Sequence, residues 1–145
     1  MPGGGSDEAS REIALRQVLN FFDFAPDACY GALGNDIARL LIPLVGKDAI
    51  VEPVSLSKPG LLGPDGVPAR EAYDHVIGTV DIERADREAF VALAAAVKEG
   101  GSAILIDRGR EKDEAEEIVA PKVGGFAKRL ILNLSQYHLA LVLKK

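Results

Sequence analysis

The chain contains no tryptophan, one cysteine, two histidines and few aromatic residues, 6% of 145. With Cys29 alone no intrachain disulfide can form, so nothing asks for an oxidising compartment. A lone cysteine among apolar neighbours reads as a small core residue rather than a nucleophile. No long hydrophobic run occurs. The longest, LLIPLV and LALVL, are too short to cross a bilayer. Positive charge is in deficit, 17 basic against 22 acidic residues, net −5, and the basic residues form no cluster. That excludes general affinity for nucleic acid or for an anionic membrane. The opening MPGGGSDEAS lacks the charged-then-apolar order of a signal peptide and reads as a flexible tail over 1–10. A single domain over 11–145, cytoplasmic and soluble, is the expectation.

What is present is an alternation of strand-like and helix-like segments. Val18–Phe24 is aromatic and branched, of strand type. APDACYGALGND is rich in turn residues, and a short helix over Ile37, Leu40 and Leu41 should end near Pro43. Ala49–Glu52 reads as a short strand. The stretch 53–69, dense in proline and glycine, reads as a long loop or lid. Then the pattern sharpens. Tyr73–Asp81 is a strand ending in an acid, and Ala85–Lys98 is a helix with one apolar face. Gly100 is placed as its left-handed cap, and Ala103–Ile106 is an apolar strand. Glu111–Val119 is a charged helix, and two closing strands, Arg129–Leu134 and His138–Leu143, are joined too tightly for a crossover. The expected fold is α/β: a doubly wound, mostly parallel sheet with helices on both faces and an antiparallel C-terminal strand pair.

YDHVIGTVDI…REAFVALAAAVKEGGSAILID and GGFAKRLILNLSQYHLALVLKK resemble the second half of class I S-adenosylmethionine-dependent methyltransferases. The resemblance covers Tyr73–Lys145. It rests on an Asp-led strand, a Leu/Ala helix, a Lys-x-Gly-Gly link and a terminal antiparallel pair. Laid on the same plan, VLNFFDFAPDACYGALG takes the place of the first strand and its cofactor loop, and AIVEP that of the second strand. Only about twenty residues separate Glu52 from Tyr73, too few for the family's usual helix, strand and helix, so the third strand is expected to be missing.

Ligands in such sheets bind beyond the carboxyl ends of the strands, near the point where strand order reverses. The resemblance therefore implies S-adenosylmethionine as cofactor. It would be held by Asp23, Phe24, Asp27, Gly31 and Gly34 around the first strand, with Glu52 gripping the ribose hydroxyls. Asp81 and His138 would face the methyl acceptor as catalytic residues, with no metal. Each has a plainer role too. Asp81 or Asp86 would serve as a helix N-cap, Asp107 as solvated surface, Phe24 and Tyr30 as core. Two functions stay open: methyl transfer to a small-molecule or protein acceptor, and a non-catalytic module of the same fold acting in binding or assembly. The second implies a homodimer or partner subunit, with Leu61-Leu62 as contact residues.

Overall fold

The structure is a computed structural model. It describes the backbone of residues 3–57, 60–135 and 137–145, and side chains from residue 12 onward apart from that of Asn35. In chain order the elements are α1 (Gly3–Asn20), β1 (Cys29–Leu33), α2 (Asn35–Leu41), a 3-10 turn (Ile42–Leu44), β2 (Ile50–Ser57), β3 (Gly60–Leu62), β4 (Tyr73–Thr79), α3 (Arg87–Ala96), β5 (Val97–Arg108), α4 (Lys112–Val119), β6 (Lys128–Asn133) and β7 (His138–Lys144).

The strands form one seven-stranded sheet in the order β3-β2-β1-β4-β5-β7-β6. β2, β1, β4 and β5 run parallel. β7 runs antiparallel between β5 and β6. Helices cover both faces, as expected. One face packs Val76, Phe90, Leu93, Leu105, Ala115 and Leu141 beneath α3 and α4. The other packs Leu19, Tyr30, Ile37, Leu41, Ile77 and Ile106 beneath α1 and α2. The alternation of Val76 and Ile77 between the two cores is the period of two that a strand imposes.

The first half departs from the reading above. Val18–Phe24 is not a strand. Ala14, Leu15, Val18 and Leu19 are all buried, a helical spacing that places one stripe of α1 on the sheet. The chain then turns through Phe21–Asp27, and the first strand is Cys29–Leu33, within the stretch read as turn. The supposed tail is mostly the start of α1, because the helix extends N-terminally from that buried stripe. The segment 53–69 is not a loose lid either. β2 continues through Ser57 and folds back on β3 as an antiparallel hairpin. This three-residue edge strand stands where a parallel crossover strand would be. Leu61, expected as an exposed contact, is 1% exposed and lies in the core.

Two glycine positions set close approaches. A Cβ on Gly78 of β4 would lie 2.1 Å from the Leu33 Cβ of β1, so these strands can pair at this level only with hydrogen there. Gly101 sits in an irregular part of the β4–β5 pairing, where a Cβ would meet the Asp74 carbonyl at 2.3 Å. Helix α3 ends at Ala96, so Gly100 lies four residues later within β5, with φ 81, and is not its cap.

Candidate functional site

The strand order reverses between β1 and β4, and the carboxyl ends of these strands lie side by side. Only Gly34, with φ 97, separates β1 from α2. A left-handed turn of one residue favours glycine because a side chain would crowd the backbone. A Cβ there would stand 3.6 Å from the Thr79 hydroxyl at the end of β4. β5 and β7 project beyond β4, pairing Asp107 with Leu139 and Arg108 with His138. These ends wall two adjoining clefts. One, of about 520 Å³, lies toward α1 and α2, between Glu12, Asp36, Arg39, Thr79 and His138. The other, of about 470 Å³, lies over Thr79, Asp81, Arg108, Tyr137 and His138. Thr79 and His138 belong to both.

The structure brings only some of the sequence-expected residues here. Gly34, Asp81 and His138 stand on this rim. Asp23, Phe24 and Asp27 precede β1 and so lie toward its amino end, opposite the clefts. The cause is the shifted first strand: what was read as the loop after it is the turn before it. Phe24 stacks edge-on against buried Tyr30, their centroids 5.9 Å apart, and Tyr30 donates to the Ala25 carbonyl at 2.7 Å. Tyr30 is a core aromatic, and Phe24 packs, partly buried, against that core. Gly31 is on β1, where a Cβ would press on the Tyr73 ring at 3.1 Å. It makes room for a tyrosine and not for a ligand.

Glu52 is not at a strand tip. It pairs with Gly31 in mid-strand, and β2 runs five residues further. Its carboxylate accepts the Tyr73 hydroxyl at 2.9 Å. Burial, and then this carboxylate, push the Tyr73 phenol well above its ordinary pKa, so it remains a donor. Cys29, also near Glu52, has its thiol pushed up chiefly by burial, which removes any thiolate character at neutral pH.

Asp81 closes the turn after β4 by accepting the Glu83 amide at 3.0 Å, and Asp86, not Asp81, caps α3 through the Ala89 amide at 2.9 Å. Asp107, expected on the surface, is 7% exposed. It accepts the Ile82 amide at 3.3 Å, the Arg108 amide at 2.8 Å and Arg110 Nε at 2.9 Å. Arg110, which the sequence reading passed over, has a side chain 3% exposed and also reaches Asp81 at 3.3 Å and Glu114 at 3.5 Å. Burial opposes its charge, but Asp107 beside it more than offsets this and raises its pKa. Lys122 donates to the carbonyls of Ile82 and Glu83, each at 2.9 Å. The loop carrying Asp81 is thus tied down from three sides and is no flexible lid. No periodic signal marked this pair, because Asp107 lies near the end of β5 and Arg110 in the link before α4.

His138 lines both clefts, while its Nδ1 is sealed from solvent without a hydrogen-bond partner among the described residues. Burial lowers its pKa, so the ring is neutral at pH 7. Nothing behind it among the described residues fixes the tautomer, as a carboxylate would in an oriented base. His75, on β4 at the opposite end, contacts the Ser102 hydroxyl at 2.7 Å and is away from the site. No group of three or more His, Cys, Asp or Glu side chains able to hold a metal ion occurs among the described residues. No helix among the described residues is long and apolar enough to cross a membrane.

No family model matches the chain, and no curated protein matches it in sequence. Solved structures do. An S-adenosylmethionine-dependent methyltransferase from Aquifex aeolicus aligns with a TM-score of 0.64 at 12% identity, over 88% of this chain and 87% of that one. The T. thermophilus 16S rRNA N2 G1207 methyltransferase, in complex with its methyl donor and guanosine, aligns with a TM-score of 0.60 at 20% identity, over 90% of this chain. Haemonchus contortus phosphoethanolamine N-methyltransferase 2 aligns with a TM-score of 0.59 at 10% identity, over 91% of this chain. The chain spans 38% and 52% of the last two proteins. At these identities the likeness is one of fold, and the sheet order, the parallel centre and the inserted antiparallel strand agree with it: the chain has the class I S-adenosylmethionine-dependent methyltransferase-like fold.

Proposed function

We propose that the rim clefts at Thr79 and His138 bind S-adenosylmethionine and a methyl acceptor, so that the chain acts as a methyltransferase. The observation that carries this reading is the pair of clefts at the carboxyl ends of β4 and β5, beside the switch point near which ligands of doubly wound sheets bind. The residues fit the donor in part. At the β1–β4 junction Gly34 leaves backbone bare beside the Thr79 hydroxyl. On β2 they do not fit, because Glu52 is committed to Tyr73 and no other acid stands on the strand. No step is therefore routed through the donor, which when bound supplies an electrophilic methyl on sulfur. The chain's own contribution is placement, since holding reactants in line removes much of the entropic barrier. The Asp81 loop, anchored by Asp107, Arg110 and Lys122, gives one rigid wall. Neutral His138 offers an acceptor hydroxyl or amine a hydrogen-bonding partner and a transient site for its proton.

Titration calorimetry with S-adenosylmethionine and S-adenosylhomocysteine tests this. Micromolar binding is expected, weakened about ten-fold or more by Thr79→Trp, which fills the wall between the clefts, and unchanged by Glu52→Ala. Absence of heat at millimolar ligand, on protein that is folded by circular dichroism, would refute it. A second reading, a non-catalytic module of this fold, draws support from the engaged Glu52. It also draws support from an apolar groove of about 740 Å³ between the β3 hairpin and α3, lined by Leu61, Pro68, Val91 and Ala95. That reading requires that neither cleft bind the donor.

A further inference from the structure

β6 is the last strand of the sheet on its C-terminal side. Its inner edge is bonded to β7, and its outer edge faces no strand among the described residues. Unpaired N–H and C=O groups along such an edge are a template for another strand. Natural sheets blunt these edges with charges, bulges or proline. Here Lys128 and Arg129 guard one end only, and the centre is Leu130-Ile131-Leu132. Ile131 is buried on the α4 side, Leu132 packs toward the opposite core, and Leu130, on the same side as Leu132, is 52% exposed. Arg129 pairs with Glu116 of α4, and both side chains stay partly in solvent, so its charge still acts along the edge.

We infer that β6 is a self-pairing edge: two copies of the chain join through antiparallel β6 strands into one continuous sheet, with Ile131 at the two-fold axis. The second copy is the occupant because the strand complements itself. A two-fold axis perpendicular to a sheet keeps each copy's faces on the same side, so only residues of equal parity can stand opposite one another. With Ile131 on the axis, Leu130 faces Leu132 of the other copy, and the reverse, giving an unbroken row of four leucines. Arg129 then faces Asn133, Lys128 alone faces an apolar residue, Leu134, and no like charges meet. With Leu130 on the axis instead, Lys128 and Arg129 face Leu132 and Ile131, setting charge against apolar surface. Of these two registers, the one with Ile131 on the axis sets fewer charges against apolar side chains and keeps the four leucines together.

Sedimentation velocity on the full chain across a concentration series, with wild type, Leu130→Lys, Asn133→Lys and Asn133→Glu, tests this. All three substitutions are at exposed positions, so the fold is retained and circular dichroism checks it. The wild type is expected to be dimeric by about 100 μM, as suits a modest edge interface. Leu130→Lys is expected to be monomeric. Asn133→Lys, which sets like charges against Arg129 twice across the axis, weakens association by about ten-fold, and Asn133→Glu retains or tightens it. A monomeric wild type overturns the inference, as does a dimer indifferent to Leu130→Lys and to the sign of charge at residue 133. The readout is assembly, independent of whether the rim binds a methyl donor.

Discussion

Replacing Arg110 by alanine removes the cation from an interior cluster and leaves Asp107, 7% exposed, with its charge facing only the Ile82 and Arg108 amides. Losing one partner of a buried ion pair costs about 3–5 kcal/mol, because the remaining ion stays desolvated. The two amides soften that loss toward the lower end. The contacts to Asp81 and Glu114 add little, since those acids are half exposed and such pairs are worth about 0–1 kcal/mol. The expected cost is thus about 3 kcal/mol, or a fall in Tm of about 6–12 °C for a domain of this size. The double variant Arg110→Met, Asp107→Leu keeps the volume and removes both charges. It should recover about 1 kcal/mol or more relative to Arg110→Ala, because no buried charge is left alone, yet fall short of wild type, because the Ile82 and Arg108 amides lose their acceptor. Urea unfolding followed by far-UV circular dichroism measures both. A loss below about 1 kcal/mol for Arg110→Ala at unchanged m-value, or a double variant no better than the single one, would refute the claim that this pair pins the rim.

Three other outcomes are expected. Both histidines have pKa values held below the ordinary 6.5 by burial, so the unfolded chain binds protons more readily. Their contribution to stability is complete above about pH 6.5 and is lost as pH falls through the lower folded values, and His75→Gln with His138→Gln should flatten Tm against pH in that window. Gly78→Ala forces a methyl group onto Leu33 at the β1–β4 contact and should cost about 3 kcal/mol or more by urea titration, far beyond the alanine's gain in chain entropy. Tyr73→Phe leaves the Glu52 carboxylate half buried without its donor and should cost about 1.5–3 kcal/mol, while calorimetry shows donor affinity unchanged.

From Tyr73 onward the architecture was legible because each element carried its own period. The apolar Val76-Ile77 step of β4, the apolar face of α3 and the continuous run of β5 admit few other arrangements. The first half misled where composition and spacing disagree. Val18, Phe21, Phe22 and Phe24 look like strand material, yet Ala14, Leu15, Val18 and Leu19 already carried the helical stripe that packing selects. Cys29–Leu33 contains a glycine and two small residues, and looks like a turn until a sheet forms on both sides of it. That error moved the expected cofactor loop to the wrong end of the strand. Of the site, the rim position of Asp81 and His138 followed from topology. The burial of Asp107 and the capture of Glu52 by Tyr73 did not, because each depends on a partner that only the folded chain brings within reach.

The placement of β7 between β5 and β6 carries a consequence for how the chain is made. Synthesis delivers β6 before the strand that attaches it to the sheet. Until residues 138–144 have left the ribosome, the edge of β5 stays unpaired, with Leu105 and Ile106 beside it, and β6 has no neighbour to join. The nascent domain therefore carries two apolar strand edges at the same time. This is the kind of exposed surface that holds chaperones and seeds aggregates. It closes when β7 pairs with β5 on one side and β6 on the other.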